Sequence, residues 1–272
     1  MCELLAISSR RPVRLSFSLA ALAARSTPGH SARDGWGAAF YQGQAVTLYR
    51  EPAPASDSPL VRQLASAGPP TTLALSHIRH ATRGALTLAN TQPFVRELGG
   101  RSHVFAHNGD LPGLGADPRF ALTHFQPQGE TDSEHAFCAL LAQLAPLWRQ
   151  GAVPTLQSRL DVVAAFAAAL RQFGPANFLY ADGEVLFAHG HRRLQPDGRM
   201  APPGLHWLQR SCTQTDAALQ AAGLGLAGNS ERVLLLASVP LSEEPWQALA
   251  EGETMAIQGG ELLARRLPPP PA

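Results

Sequence analysis

The chain has 272 residues, 45% of them apolar, and its 24 glycines and 23 prolines stay below the roughly 25–30% that marks low-complexity sequence. At this length folding can bury about three quarters of the unfolded surface, in one large domain or two small ones, so global disorder is excluded. With 22 basic against 21 acidic residues and only 16% charged residues, no basic field exists to gather nucleic acid or anionic lipid, and small-molecule partners are expected.

Every basic residue is arginine, since the sequence contains no lysine. A P-loop needs its phosphate lysine and a pyridoxal-phosphate enzyme its Schiff-base lysine, so both classes drop out. Cys2, Cys138 and Cys212 are too few and too scattered for a disulfide framework or a cysteine-only zinc site. A reducing cytoplasm fits that usage. Met1 to Ile7 carries Glu3 and no basic leader, and no apolar run approaches the roughly 18 residues of a membrane span. The expectation is a soluble cytoplasmic protein.

In chain order, Cys2 to Ser8 reads as a short buried strand, and Ser16 to Arg25 as a helix with Leu15, Leu19 and Leu22 on one face. After an Asp34-Gly35-Trp36-Gly37 turn, Ala38–Tyr41 and Ala45–Tyr49 form a hairpin closed at Gln42-Gly43, and Pro52 to Pro59 reads as a loop. Thr71–Ile78 and Ser102–Ala106 are strands that deliver polar clusters at their ends: residues 77–84 from the first, and His107-Asn108-Gly109, with the pattern of a local turn, from the second. Helical spacing covers Ser133–Trp148 and Thr155–Phe173, and Gly174-Pro175 stops the latter. Beyond that, 177–181 and 184–188 flank an Asp182-Gly183 turn, followed by strands at 205–209, 233–238, 254–257 and 261–265. Strands, paired helices and more strands predict an α+β chain, with two stacked antiparallel sheets flanked by helices. A single domain over 2–267 is expected, with a disordered Pro-rich tail at 268–272.

Cys2 directly follows the initiator methionine, whose removal would give a thiol and a free α-amino group on one residue. That amine titrates near pH 7.7–8.0, so it can serve as base for its own sulfur. Alone, Met-Cys is weak evidence. Read with Asp34-Gly35-Trp36-Gly37, His77-Ile78-Arg79-His80-Ala81-Thr82-Arg83-Gly84, Asn90-Thr91-Gln92-Pro93-Phe94, His107-Asn108-Gly109 and Thr131-Asp132-Ser133-Glu134, it resembles the class II glutamine amidotransferase domain in order and spacing. The Asp-Gly-Trp-Gly and Asn-Thr-Gln-Pro-Phe runs are most similar to its stand-alone branch, which includes YafJ-like proteins and the γ-glutamyl amidase of ergothioneine synthesis.

That resemblance implies the four-layer αββα N-terminal-nucleophile fold and no cofactor. It implies that Cys2 attacks the δ-carbonyl, that Asn108 and Gly109 hold the oxyanion, and that Arg79 and Asp132 grip the α-carboxylate and α-ammonium of the substrate. Thr82 and His107 join the substrate-binding candidates from the same clusters. Trp36 is read as pocket wall or as packing, and His189 and His191 as contacts for the variable part of a substrate. The implied activity releases glutamate, with ammonia or an amine, from glutamine or a γ-glutamyl compound. The alternatives are an amidase for a larger thiol-histidine-type γ-glutamyl precursor and a non-catalytic glutamine-binding module. An ammonia-accepting synthase is the implied protein partner.

Bland readings stand beside these. Thr131-x-x-Glu134 satisfies the capping-box pattern, so Asp132 also suits a helix N-terminus. The histidines at 77, 80, 103 and 107 lack a metal-binding pattern and read as structural, and Cys138 reads as core. Arg83 and His80 depart from the synthase-linked relatives, which usually carry histidine and tryptophan there.

Overall fold

The computed structural model describes residues 2–17, 34–81, 84–149, 152–212, 224–227 and 230–268. Fifteen residues of alternating and apolar sequence at the N-terminus make β1 (Glu3–Phe17), longer than the strand expected there. Ser16 and Phe17 therefore belong to a strand where a helix was expected to start, and residues 18–25 of that helix lie outside the described residues. β1 is central in the first sheet. It pairs antiparallel with β4 (Pro70–Ile78) on one side and with β13 (Ser230–Ala237) on the other.

From β4 the sheet continues through β2 (Trp36–Gln42) to β3 (Ala45–Glu51), and from β13 through β11 (His206–Cys212) to β14 (Gln247–Ala248). β12 (Leu224–Ala227) pairs with the far end of β1. The second sheet runs β16 (Glu261–Arg266), β15 (Thr254–Gln258), β8 (Leu186–His189), β7 (Ala176–Ala181), β6 (Arg101–Gly109), β5 (Phe94–Leu98), all neighbours antiparallel. A two-stranded ribbon, β9 (Arg193–Leu194) with β10 (Met200–Ala201), stands apart from both.

Strand alternation sends successive side chains to opposite faces, and the cores follow that rule. Leu4, Ala6, Leu73 and Leu75 from one sheet meet Val104, Ala106, Leu179 and Ala188 from the other, which fills the space between the sheets. Their neighbours Leu5, Ile7, Ala74 and Ile78 face outward and pack under α1 (Pro59–Ala67) through Val61 and Leu64. The outer face of the second sheet, with Phe105, Phe178 and Phe187, is covered by α2 (Asp132–Trp148) and α3 (Leu156–Leu170). The layers are helix, sheet, sheet, helices. None of the described helices is long and apolar enough to cross a membrane.

Besides β1, the start of α1 and the end of β6 depart from expectation. α1 begins inside the stretch read as a loop, with the Ser58 hydroxyl accepting the Val61 N–H at 3.1 Å and Pro59 in the first turn. Asn108 and Gly109 do not form a turn; they are the last rungs of β6, opposite Asn177 and Ala176.

Candidate active site

Cys2 lies at the head of β1, beside the C-terminal end of β4, because Glu3 pairs with Ile78 in register. The chain leaving β4 bends over the sulfur. The His80 backbone N–H points at Cys2 Sγ at 3.3 Å, and the His80 carbonyl lies 3.5 Å from the same atom. Burial pushes the Cys2 thiol pKa up, against smaller lowering by the His80 N–H and by the Arg79 charge. This bend is braced by the Asp34-Gly35 turn: the Gly35 carbonyl accepts the Arg79 N–H at 2.8 Å, and the Asp34 carboxylate accepts the Ala81 N–H at 2.8 Å.

From the second sheet, β6 brings Asn108 across to β1. Its side-chain amide donates to the Cys2 carbonyl at 2.7 Å and so fixes the backbone of the residue whose thiol faces the cavity. An asparagine amide has two N–H groups, so one remains for another acceptor. Gly109 is held tightly. A Cβ there would stand 1.7 Å from the Pro175 carbonyl oxygen and 2.7 Å from His107 Nε2, so no side chain fits between β6 and the loop before β7.

One cleft, about 360 Å³ including space open to solvent, is lined by Cys2, Arg79, His107, Gly109 and Asp132 among others. Arg79 is buried and donates to the carbonyls of Ala85 and Gly84 at 3.1 and 3.2 Å, which orient its guanidinium plane. Asp132 is the first residue of α2. Its two oxygens accept the backbone N–H groups of Leu111 at 2.6 Å and Ser133 at 2.7 Å. The Ser133 hydroxyl also lies 3.4 Å from Oδ1, so of the roughly four lone-pair sites of a carboxylate one remains, on Oδ2. The cap reading holds as well: Thr131 caps α2 through the Glu134 N–H at 3.2 Å. Glu134 does not complete a capping box, because its carboxylate turns to Arg96 at 2.5 Å and to the Gly129 N–H at 2.7 Å.

His107 is buried in the cleft wall, with Nδ1 2.9 Å from the Ser133 hydroxyl, and burial lowers its pKa. Trp36 is elsewhere. Its ring is fully buried in the core under α1, with the indole N–H donating to Glu51 at 2.9 Å, and it is not among the residues lining the cleft. Thr82 lies outside the described residues. His189 is buried against Thr254 at 2.9 Å, whereas His191 lines a separate cavity farther along the surface.

Several residues that build the site escaped the candidate set. Gln92 also lines the cleft, and clamps β6 by accepting the His107 N–H at 2.6 Å and donating to the His107 carbonyl at 3.2 Å. A Cβ on Gly37 would meet the Gln92 carbonyl at 2.3 Å, so the second glycine of the Asp-Gly-Trp-Gly run is what lets the Asn-Thr-Gln-Pro-Phe run lie against β2. Asn90 ties the same run to the loop before α2, accepting the Glu130 N–H at 2.8 Å and donating to Ala85 at 3.0 Å. Glu3, next to Cys2, is fully buried and paired with buried Arg193 at 2.8 Å. A charge inside an otherwise apolar strand was the signal available for it.

Residues 1–271 match the family model for class-II glutamine amidotransferases. The chain belongs to the class-II glutamine amidotransferases. Among members of this family it is 34% identical, over 96% of its length and 99% of the relative's, to YafJ of Escherichia coli K12, which is named as a glutamine amidotransferase. It is 32% identical to a Haemophilus influenzae protein of the same designation, over 97% of this chain and 86% of that one. The crystal structure of a predicted glutamine amidotransferase from Pseudomonas aeruginosa superposes with a TM-score of 0.69 at 32% identity, covering 96% of this chain and 99% of that one. Glutamine phosphoribosylpyrophosphate amidotransferase from Bacillus subtilis superposes with a TM-score of 0.60 at 17% identity, over 97% of this chain and 48% of that one. At that identity the likeness bears on fold alone, and the class-II amidotransferase chain described here has the αββα N-terminal-nucleophile fold.

Proposed function

We propose that this amidotransferase cleaves the γ-amide of glutamine or of a γ-glutamyl compound, with Cys2 as nucleophile after loss of Met1. The observation that carries the proposal is that Cys2, Arg79 and Asp132 line one cleft together. Arg79 suits an α-carboxylate through paired N–H donors, and Asp132 suits an α-ammonium. A two-point grip of this kind fixes a free amino acid end and aims its side-chain amide at the sulfur.

The Cys2 α-amine takes the thiol proton as the sulfur–carbon bond forms at the δ-carbonyl. The resulting oxyanion is held by the second Asn108 N–H and the Gly109 backbone N–H. Collapse breaks the carbon–nitrogen bond, and the amine returns its proton to the departing nitrogen, which leaves as ammonia or a free amine. Water then attacks the γ-glutamyl thioester, giving glutamate and restoring the thiol. His107, neutral at working pH because burial lowers its pKa, braces Ser133 beside Asp132 and takes no proton in this scheme.

The test compares glutamate release from glutamine by wild type and by Cys2→Ala, in protein shown by intact mass to begin at residue 2. Loss of release in the variant supports the reading, and equal release refutes it. Glutamine binding without turnover in the processed wild type would instead identify a non-catalytic binding module.

A further inference from the structure

Resting on the amidase reading above, we propose that the preferred substrate is a γ-glutamyl amide whose leaving amine is an amino acid or peptide with an apolar body and a carboxylate, and that Arg171 seats this carboxylate. Cys2 stands between two cavities. A second one, about 490 Å³ including space open to solvent, shares Cys2, His80 and Gly109 with the first and is lined by neither Arg79 nor Asp132. Its remaining wall includes Asn108, Pro175 and Met200, and Met200 leaves nearly half its surface exposed. A bond attacked at Cys2 has its glutamyl side in the first cavity and its nitrogen side facing the second. Free glutamine has only ammonia to place there.

A third cavity, about 970 Å³ including space open to solvent, shares Pro175 and Met200 with the second. Arg171, His191, Arg192 and Glu251 line it. Glu251 is already matched by Arg192 at 2.6 Å. Arg171 has no carboxylate partner among the described residues, and its Nε is buried without a hydrogen-bond partner. His191 is more than nine-tenths buried, with Nε2 3.5 Å from the Glu251 carboxylate and Nδ1 without a hydrogen-bond partner. The Arg171 charge is the second-largest cause, after burial, of its lowered pKa of about 4, so this histidine is neutral and leaves the arginine as the uncompensated charge. An unpaired guanidinium in a cavity that shares its Pro175 and Met200 wall with the one beside Cys2 calls for an anion on the substrate's amine side.

The ribbon of β9 and β10 that carries Met200 is anchored to the nucleophile's own neighbour through Arg193 and Glu3. The wall of the amine-side cavity is thus positioned by the same strand as Cys2.

The experiment measures glutamate release from γ-glutamyl-6-aminohexanoate, in which an apolar chain separates the amide from the carboxylate, from its carboxamide and from glutamine, using full-length protein confirmed to begin at Cys2. The expected result is a kcat/KM for the free acid roughly 10- to 100-fold above that for the carboxamide. Arg171→Gln should collapse this ratio toward one, and Arg171→Lys should retain part of it. Because the ratio is read within one protein sample, partial loss of folding cannot mimic the effect, and the wild-type ratio decides even if Arg171→Gln does not fold. Equal cleavage of acid and carboxamide, or a ratio that survives Arg171→Gln, overturns the inference. Cleavage of glutamine alone overturns it and leaves the amidase reading intact, whereas no Cys2-dependent release from any of the three overturns both.

Discussion

The Glu3–Arg193 pair offers a quantitative test of how the strand that carries Cys2 is held. Both residues are at most 3% exposed, and the guanidinium meets the carboxylate at 2.8 Å. Removing one member leaves the other charged, buried and unmatched, a loss of about 3–5 kcal/mol. Set against the usual ~5–15 kcal/mol of total stability, Glu3→Leu or Arg193→Met should each move the urea midpoint far to the left. The double variant should behave differently. With both charges gone the desolvation penalty disappears along with the attraction, so its stability should return to within about 2 kcal/mol of wild type. Urea unfolding of the four proteins, followed by tryptophan fluorescence, measures the coupling. If the double variant loses the sum of the two single losses, the pair is not the closed buried unit described here.

On the proposed mechanism Asn108→Ala should lower turnover of glutamine by roughly 10²–10³, since it would remove one oxyanion donor along with the tie to the Cys2 carbonyl; a rise in KM alone would assign the residue to binding. Gly109→Ala should be more damaging to folding than most single changes, beyond the ~1–3 kcal/mol of ordinary overpacking, because its methyl would meet backbone at Pro175, and an unchanged Tm would contradict that geometry. Stability should also fall on mild acidification. Burial lowers His77 and His189 to a pKa of about 3, against an ordinary value of about 6.5 in the unfolded chain. Between those values the unfolded state binds more protons, so each histidine removes about 0.7 kcal/mol per pH unit at pH 6.5, rising toward about 1.4 by pH 5, and flat urea midpoints between pH 6.5 and 5 would refute their neutral burial.

The parts of this fold that could be read in advance are those with strong periodicity. Phe137, Leu140, Leu141 and Leu144 mark α2 within one residue of its observed start, and Gln42-Gly43 places the β2–β3 turn. Where several physical causes act at once, the reading diverged. Asn108-Gly109 has turn chemistry, but pairing with Asn177 and Ala176 and the contact with Pro175 hold it extended. α1 was hidden by the prolines before it, although Ser58-Pro59 is itself a start signal. At the site, residue types indicated the chemistry while tertiary contacts decided the supports. No local pattern reports that Gln92 would clamp β6 from 15 residues away, or that Arg193 would reach Glu3 across 190.

The nucleophile can be observed directly by quenching a glutamine reaction in acid and mapping the protein by peptide mass. The account predicts one γ-glutamyl group on a peptide that begins with Cys2, absent from Cys2→Ala. Steady turnover with an unmodified Cys2 peptide, or with the label on Cys138, would contradict it.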